Sequence, residues 1–477
     1  MSKIEKELNK SIFHSLIGKY SLYVLQIISL AILARLFTPA DFGTLAALQV
    51  LILFFQLLAT SGLGPAIIHQ DVISPEQRNG IFTATLIIGI TLSLLFSYLT
   101  PLLASWLDLN NVNLLTYVLA LSVFFSAIAM LPLASLQKDT QFIVIGKAEI
   151  FAEIIALITC VTLYLFDLGV IALAIKLLIT PIARFVFYFY YSSKTEIGQA
   201  KVGAKISSIL PLLAIAKFQL GFNILNFFSR NLDTILVAKY FGVVSVGFYE
   251  KIYQIMRYPL QLFTFAITPA LQPVLTRYKH EPGVIFTTYY QLAYKLAVLG
   301  LLTATIMFWY ADDIIFILFG SQWLPVSSLL KILAISIPVQ MVLSSTGGLY
   351  QAMGATKEMF YCGIFSSIVN VSAIIFGIYM GDMQILCFSL VVAFSINYFQ
   401  CFYVLHYYVF KIRSIKSFMV LSCLVLISSV NMLFISDEQP PTSAFNYIDS
   451  FINVINPVLF LMCILVFVFI LNKKFLK

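Results

Sequence analysis

Four sets of polar residues interrupt otherwise apolar stretches of this sequence, and their spacing is regular. Asn223, Asn226, Arg230 and Asp233 follow one another at steps of three, four and three. Glu250, Gln254, Arg257, Gln261, Thr264 and Thr268 alternate steps of four and three. Lys176, Thr180 and Arg184 stand four apart, and Ser15, Lys19, Gln26 and Ser29 form a sparser set. Such intervals place each set along one side of an α-helix. Cations dominate: Lys19, Lys176, Arg184, Lys217, Arg230, Lys251, Arg257, Lys295 and Lys331 stand against Glu153, Asp233 and Glu250. That excess suits an anionic ligand, and the planar fork of arginine suits phosphate in particular.

The elements that must position these residues are membrane helices. Of 477 residues 61% are hydrophobic and 10% charged, with a mean hydropathy of +0.97. A soluble chain carries roughly a quarter charged residues, so the bilayer must be the solvent for most of this one. Apolar runs of about 20 residues recur from end to end, each long enough to span as a helix. No alternating short strands are read, which argues against an outer-membrane barrel. The fold class expected is an all-α polytopic membrane protein of about 14 transmembrane helices. Their approximate limits are 12–36, 42–68, 80–106, 112–135, 144–166, 169–191, 211–240, 245–274, 287–311, 324–352, 358–380, 383–408, 414–435 and 449–472.

Lysine and arginine set the orientation. One set of loops and ends holds Lys3, Lys6, Lys10, Arg78, Lys138, Lys194, Lys201, Lys205, Arg277, Lys357, Lys411 and Lys473, among others. The opposite loops hold Asp108, Asp167, Asp312, Asp313, Asp382 and the acidic stretch 436–449, with almost no base. This asymmetry predicts cytoplasmic termini and an even number of spans. It also accounts for the formal charge of +8, leaving no case for nucleic acid. The basic start, Met1 to Lys10, leads into a first helix that is read as retained. The six cysteines show no metal-ligand spacing and are expected to be packing residues; neither a metal nor a cofactor is expected.

The sequence repeats. Ile32 to Gly43 resembles Leu236 to Gly247, pairing Arg35 with Lys239, Phe37 with Phe241 and Gly43 with Gly247 at an offset of 204 residues. Pro65-Ala66 falls on Pro269-Ala270 at the same offset, which also lays Lys19, Gln26 and Ser29 on Asn223, Arg230 and Asp233. The expected organisation is an N-terminal six-helix lobe at 1–192, a cytoplasmic linker at 193–210, a second six-helix lobe at 211–410 and accessory helices 13 and 14 at 411–477. Two related lobes with a midplane site between them are a transporter architecture.

A charge at mid-membrane costs about 2.5–3.5 kcal/mol on insertion scales, so one-sided polar stripes on four helices imply a shared hydrated cavity. The residues expected to line it and bind substrate are Lys19, Gln26, Lys176, Arg184, Asn223, Asn226, Arg230, Asp233, Gln254, Arg257 and Gln261. Glu153, Asp233 and Glu250 are the candidate coupling-ion acids. Bland readings stand beside these. Arg230 and Asp233 are spaced to neutralise each other, and Arg35, Lys239, Lys295 and Lys331 lie near helix ends, where they can snorkel. Glu153 reads as the only acid deep in the first lobe, either paired with Arg184 or binding a coupling cation.

Leu33-Ala-Arg-Leu-Phe-Thr-Pro-Ala-Asp-Phe-Gly43, Asn231-Leu-Asp-Thr-Ile-Leu-Val-Ala-Lys-Tyr-Phe-Gly242, Gly247-Phe-Tyr249, Leu318-Phe-Gly-Ser-Gln-Trp323 and Gly348-Leu-Tyr-Gln-Ala-Met-Gly-Ala-Thr-Lys357 together carry a family resemblance. The chain resembles, over essentially its whole length, a bacterial polysaccharide (O-antigen-type) flippase of the multidrug/oligosaccharidyl-lipid/polysaccharide exporter superfamily. The resemblance implies two six-helix lobes plus two accessory helices. It implies export of undecaprenyl-diphosphate-linked oligosaccharide to the periplasmic leaflet by alternating access, with membrane lipids and the polymerase or chain-length machinery as partners. In that frame Arg184, Arg230 and Arg257 would hold the diphosphate or acidic sugars. Two other readings compete. A drug/cation antiporter of the same superfamily would need acids to dominate the cavity. A membrane polymerase or glycosyltransferase would need a large periplasmic loop or a spaced carboxylate pair, and Asp312-Asp313 is adjacent rather than spaced. No enzymatic activity is expected.

Overall fold

The computed structural model describes residues 3–60, 63–70, 72–109, 112–264, 271, 275–276, 278, 281–411 and 416–429. Every regular element among them is helical. Ten of these helices are long and apolar enough to cross a bilayer, or eleven if the bent pair Ser321–Ala334 and Ile337–Ala352, which turns through 56°, forms one span. The chain is therefore a multi-pass membrane protein. Of the spans expected near the C-terminus, 449–472 lies outside the described residues and 414–435 is described only in part.

The chain packs as two compact units, Met1–Phe248 and Tyr249–Lys477. In the first, α1 (Lys3–Leu36), α2 (Pro39–Thr60), the short α3 (Leu63–His69), α4 (Pro75–Trp106), α5 (Asn113–Ile128), α6 (Met130–Lys138), α7 (Phe142–Leu165) and α8 (Val170–Ser192) follow in order. Helix α4 packs on α5, α7 on both α1 and α8, and α5 on α8. Local chemistry sets the boundaries. Ser74 caps α4 by accepting from the Gln77 amide while the Gln77 side chain accepts from the Ser74 amide, and Pro75 follows at the first helical position. Helices α4 and α7 stop where Asp108 and Asp167 turn to φ 58°, a left-handed conformation that aspartate tolerates better than branched residues.

The segment 193–209, expected as a linker, lies along α4. Arg78 Nη1 donates to the Ile197 carbonyl, while the Lys201 and Gly203 amides donate to Asn79 Oδ1 and Thr83 Oγ1. A side chain at Gly80 would collide with the Lys205 carbonyl, so only glycine permits this approach.

Helix α9 (Leu210–Phe263) fuses the two spans expected at 211–240 and 245–274 into one element broken at Gly242, where φ is 83° and ψ is 177°. The break falls in the gap that hydropathy left between those spans. Within Met1–Phe248, α9 crosses α2 at a point of glycine contact: a Cβ on Gly43 would overlap the Val243 carbonyl, and one on Gly247 would overlap the Pro39 carbonyl.

The second unit continues with α10 (Pro282–Trp309), α11 (Ala311–Phe319), α12 (Ser327–Ala334), α13 (Ile337–Ala352), α14 (Thr356–Met380), α15 (Met383–Val404) and α16 (Lys416–Ile427). Helices α14 and α15 pair closely, and α10 packs on α12, α13 and α16. A single π-helical turn, Leu405–Val409, ends α15 and buries His406, whose Nδ1 lies 2.6 Å from the Tyr290 hydroxyl.

Candidate functional site

In the first unit the structure brings two of the expected cations, Lys176 and Arg184, onto acids. Helices α7 and α8 form an antiparallel hairpin joined by residues 166–169, and their facing sides carry two charge pairs. Lys176 Nζ lies 2.8 Å from Glu153 Oε1, with side-chain exposures of 17% and 9%. Arg184 bonds to Glu149, and Glu149 Oε1 also accepts from the Tyr188 hydroxyl at 2.7 Å. Glu153 thus pairs with Lys176 rather than Arg184. It is also not the only deep acid of this region, because Glu149 was overlooked. The signal was present: Glu149 and Glu153 are four apart, matching Lys176, Thr180 and Arg184 across the hairpin. Arg184 keeps one resource unused, since its Nε is buried and makes no hydrogen bond among the described residues.

The other candidates of this unit sit on α1 and α9. Lys19 is exposed, Gln26 half-buried, and Ser29 buried with an unbonded hydroxyl among the described residues. Asn223 is half-buried; Asp233 is buried, its Oδ1 accepting the Thr234 amide at 2.8 Å. The side chains of Asn226 and Arg230 lie outside the described residues.

In the second unit the last four turns of α9 carry Glu250, Gln254, Arg257 and Gln261. Gln254 Nε2 donates to the Tyr258 hydroxyl at 3.1 Å. Arg257 is exposed, with no carboxylate within ion-pair distance among the described residues, and its guanidinium lies 5.3 Å from the centre of the Tyr253 ring. An exposed guanidinium steadied by an aromatic face retains its donors for a ligand. Glu250 and Gln261 are half-buried.

Two of the four residues expected to snorkel, Lys239 and Lys331, are held by acids near helix ends. Lys239 reaches Asp108 at 2.8 Å and lies 5.7 Å from the Trp106 ring centre; Lys331 reaches Asp312 at 2.8 Å. No cluster of three or more metal-ligating side chains occurs among the described residues.

These helices and faces have recognisable relatives. The sequence pattern of the family described as "Polysaccharide biosynthesis protein" matches residues 32–328, more than half of the chain. The chain belongs to that family. It is 21% identical to the teichuronic acid biosynthesis protein TuaB of Bacillus subtilis over 76% of this chain and 74% of that one. It is 22% identical to the lipopolysaccharide biosynthesis protein WzxC of Escherichia coli, covering 74% and 71% respectively. Among solved structures, the lipid II flippase MurJ in an inward closed conformation superposes with a TM-score of 0.72 at 14% identity, covering 97% of this chain and 99% of that one. An inward-facing multidrug resistance transporter of the MATE family, of the MOP superfamily, gives 0.63 at 13% identity, covering 86% and 98%. The fold is the one these transporters share, and family and fold together bear out the resemblance read from the sequence.

Proposed function

We propose that this protein is a flippase that moves a polyprenyl-diphosphate-linked oligosaccharide from the cytoplasmic to the periplasmic leaflet of a bacterial inner membrane, for surface polysaccharide assembly. The observation that carries the reading is membership of the polysaccharide biosynthesis family across residues 32–328, a stretch that includes the polar faces of α8 and α9. The names of the curated relatives and the lipid II flippase fold point the same way.

The one-sided polar faces of α1, α8 and α9 are the surfaces we assign to the polar head, each within its own unit. Arg257, exposed and with no acidic partner among the described residues, and Arg230 take the diphosphate or acidic sugars. Lys19, Gln26, Asn223, Asn226, Gln254 and Gln261 supply hydrogen bonds to sugar. Lys176 and Arg184 reach the ligand only if they leave Glu153 and Glu149, so in the resting state they hold the α7–α8 hairpin together. Asp233 and Glu250 stand beside Glu153 as the coupling-ion candidates, and Glu153 would have to leave Lys176 to bind a cation. On this reading the full chain has about 14 spans, in two six-helix lobes related by the repeat plus two accessory helices, with both termini cytoplasmic and polymerase or chain-length machinery as partners.

A drug/cation antiporter remains the second reading, favoured by the MATE-like fold and the buried Asp233. Mass spectrometry of lipid-linked glycans from a deletion strain separates the two. Accumulation of one completed repeat unit with loss of surface polymer supports the flippase. An unchanged glycan pool with altered drug sensitivity supports the antiporter.

A further inference from the structure

The outward side of the α7–α8 hairpin holds a groove of about 560 Å³ whose walls include Phe151, Ile155, Ile179, Ala183, Tyr190 and Tyr191. Every wall side chain is aliphatic or aromatic. Along α8 the groove runs from Ile179 to Tyr191, which at 1.5 Å per residue is about 18 Å. That is slightly more than half of a roughly 30 Å hydrocarbon core, the depth of one leaflet. Its Tyr190–Tyr191 end does not close on another apolar residue. Lys194 Nζ stands 5.1 Å from the Tyr191 ring centre and 5.8 Å from that of Tyr190. Lys194 is exposed and has no carboxylate partner among the described residues. Arg184, next to Ala183 in the chain, is committed to Glu149, so Lys194 is the cation that faces the mouth.

We infer that this groove binds the polyprenyl chain of the lipid-linked substrate, with the chain lying along α8 and its phosphate held by Lys194 at the aromatic mouth. This inference rests on the flippase reading. An apolar channel one leaflet deep, closed by a cation over two aromatic rings, is complementary to a long hydrocarbon carrying a phosphate at one end. The mouth adjoins the basic segment 193–209, with Lys201 and Lys205; by the positive-inside rule this is the leaflet in which the substrate starts. The groove would hold the tail at the periphery while the head group moves along the polar path.

The test uses the full chain in phosphatidylcholine nanodiscs and a polyprenyl diphosphate bearing a tail benzophenone, with labelled peptides mapped by mass spectrometry. Light should attach the probe within 151–155 and 179–191. Ala183→Trp should reduce that labelling tenfold or more by filling the channel, and Lys194→Gln about fivefold. Because Ala183 lines an open groove and Lys194 is exposed, circular dichroism and elution profile should be unchanged. Probe attached only to other peptides overturns the groove and leaves the flippase reading standing. Equal displacement by phosphatidylglycerol at the same mole fraction makes the groove an ordinary lipid contact and also overturns it. No attachment anywhere overturns both this inference and the reading on which it rests.

Discussion

Gly43 on α2 and Gly247 on α9 stand against each other at one helix crossing: a Cβ on Gly247 would fall 2.9 Å from the Gly43 amide nitrogen, and a Cβ on either residue would overlap a backbone carbonyl of the opposite helix. These are the two glycines that align when the sequence is laid on itself at an offset of 204 residues. Backbone meets backbone here because neither helix carries a side chain at the contact, the small-residue mode of association typical of membrane helices. Gly43→Ala or Gly247→Ala must push α2 and α9 apart. Each is expected to cost about 1–3 kcal/mol, as overpacking does, read as a lower melting temperature of the purified protein. Alanine at both positions with no change in melting temperature would contradict the close approach.

The Glu153–Lys176 pair is mostly buried, so removing one partner strands a charge. Glu153→Gln or Lys176→Met alone should lose about 3 kcal/mol, whereas the double substitution should recover most of it. A double loss equal to the sum of the two single losses would show that the two side chains are not energetically coupled.

Arg257→Gln should leave membrane insertion intact and lower surface polymer about tenfold or more, the scale of one lost charge-assisted contact. Arg230→Ala should behave alike. Normal polymer from both variants at low expression would remove these residues from the path.

Asp312, outside the spanning helices, gives a pH-dependent term. Burial alone would raise the Asp312 carboxyl, but hydrogen bonds from Lys331 and Ser327 carry it below its ordinary value of 3.8. A depressed carboxylate stabilises the fold above the ordinary aspartate range and ceases to do so as pH falls through the folded value. The melting temperature of Asp312→Asn should therefore lie below that of the parent near neutral pH, with the gap closing below about pH 4. The side chains are 45% and 32% exposed, so the gap should be small. A gap that widens in acid would contradict the assigned direction.

A reporter fused to the C-terminus should read as cytoplasmic. A periplasmic signal would mean an odd number of spans.

The spans were legible because apolar length is a strong signal, and even the break at Gly242 fell where hydropathy dipped. The docking of 193–209 on α4 was not legible. Arg78, Asn79 and Thr83 grip an extended backbone, and hydrogen bonds from side chain to main chain leave no periodic trace in sequence. The polar faces were visible as spacings, yet spacing gives a face and not a partner. Pairing Glu153 with Lys176 and Glu149 with Arg184 needed the register of the α7–α8 hairpin, which the turn at 166–169 sets.

That hairpin also bears on how the chain enters the membrane during synthesis. Helix α7 alone would bring Glu149 and Glu153 into lipid, and α8 alone would bring Lys176 and Arg184, each charge costing about 2.5–3.5 kcal/mol at mid-helix. Joined by a four-residue turn, the two helices present the insertion machinery with opposite charges that cancel. The economical course is to hold α7 at the translocation channel until α8 has emerged and release them together, so a chain truncated between the two should be retained there or degraded.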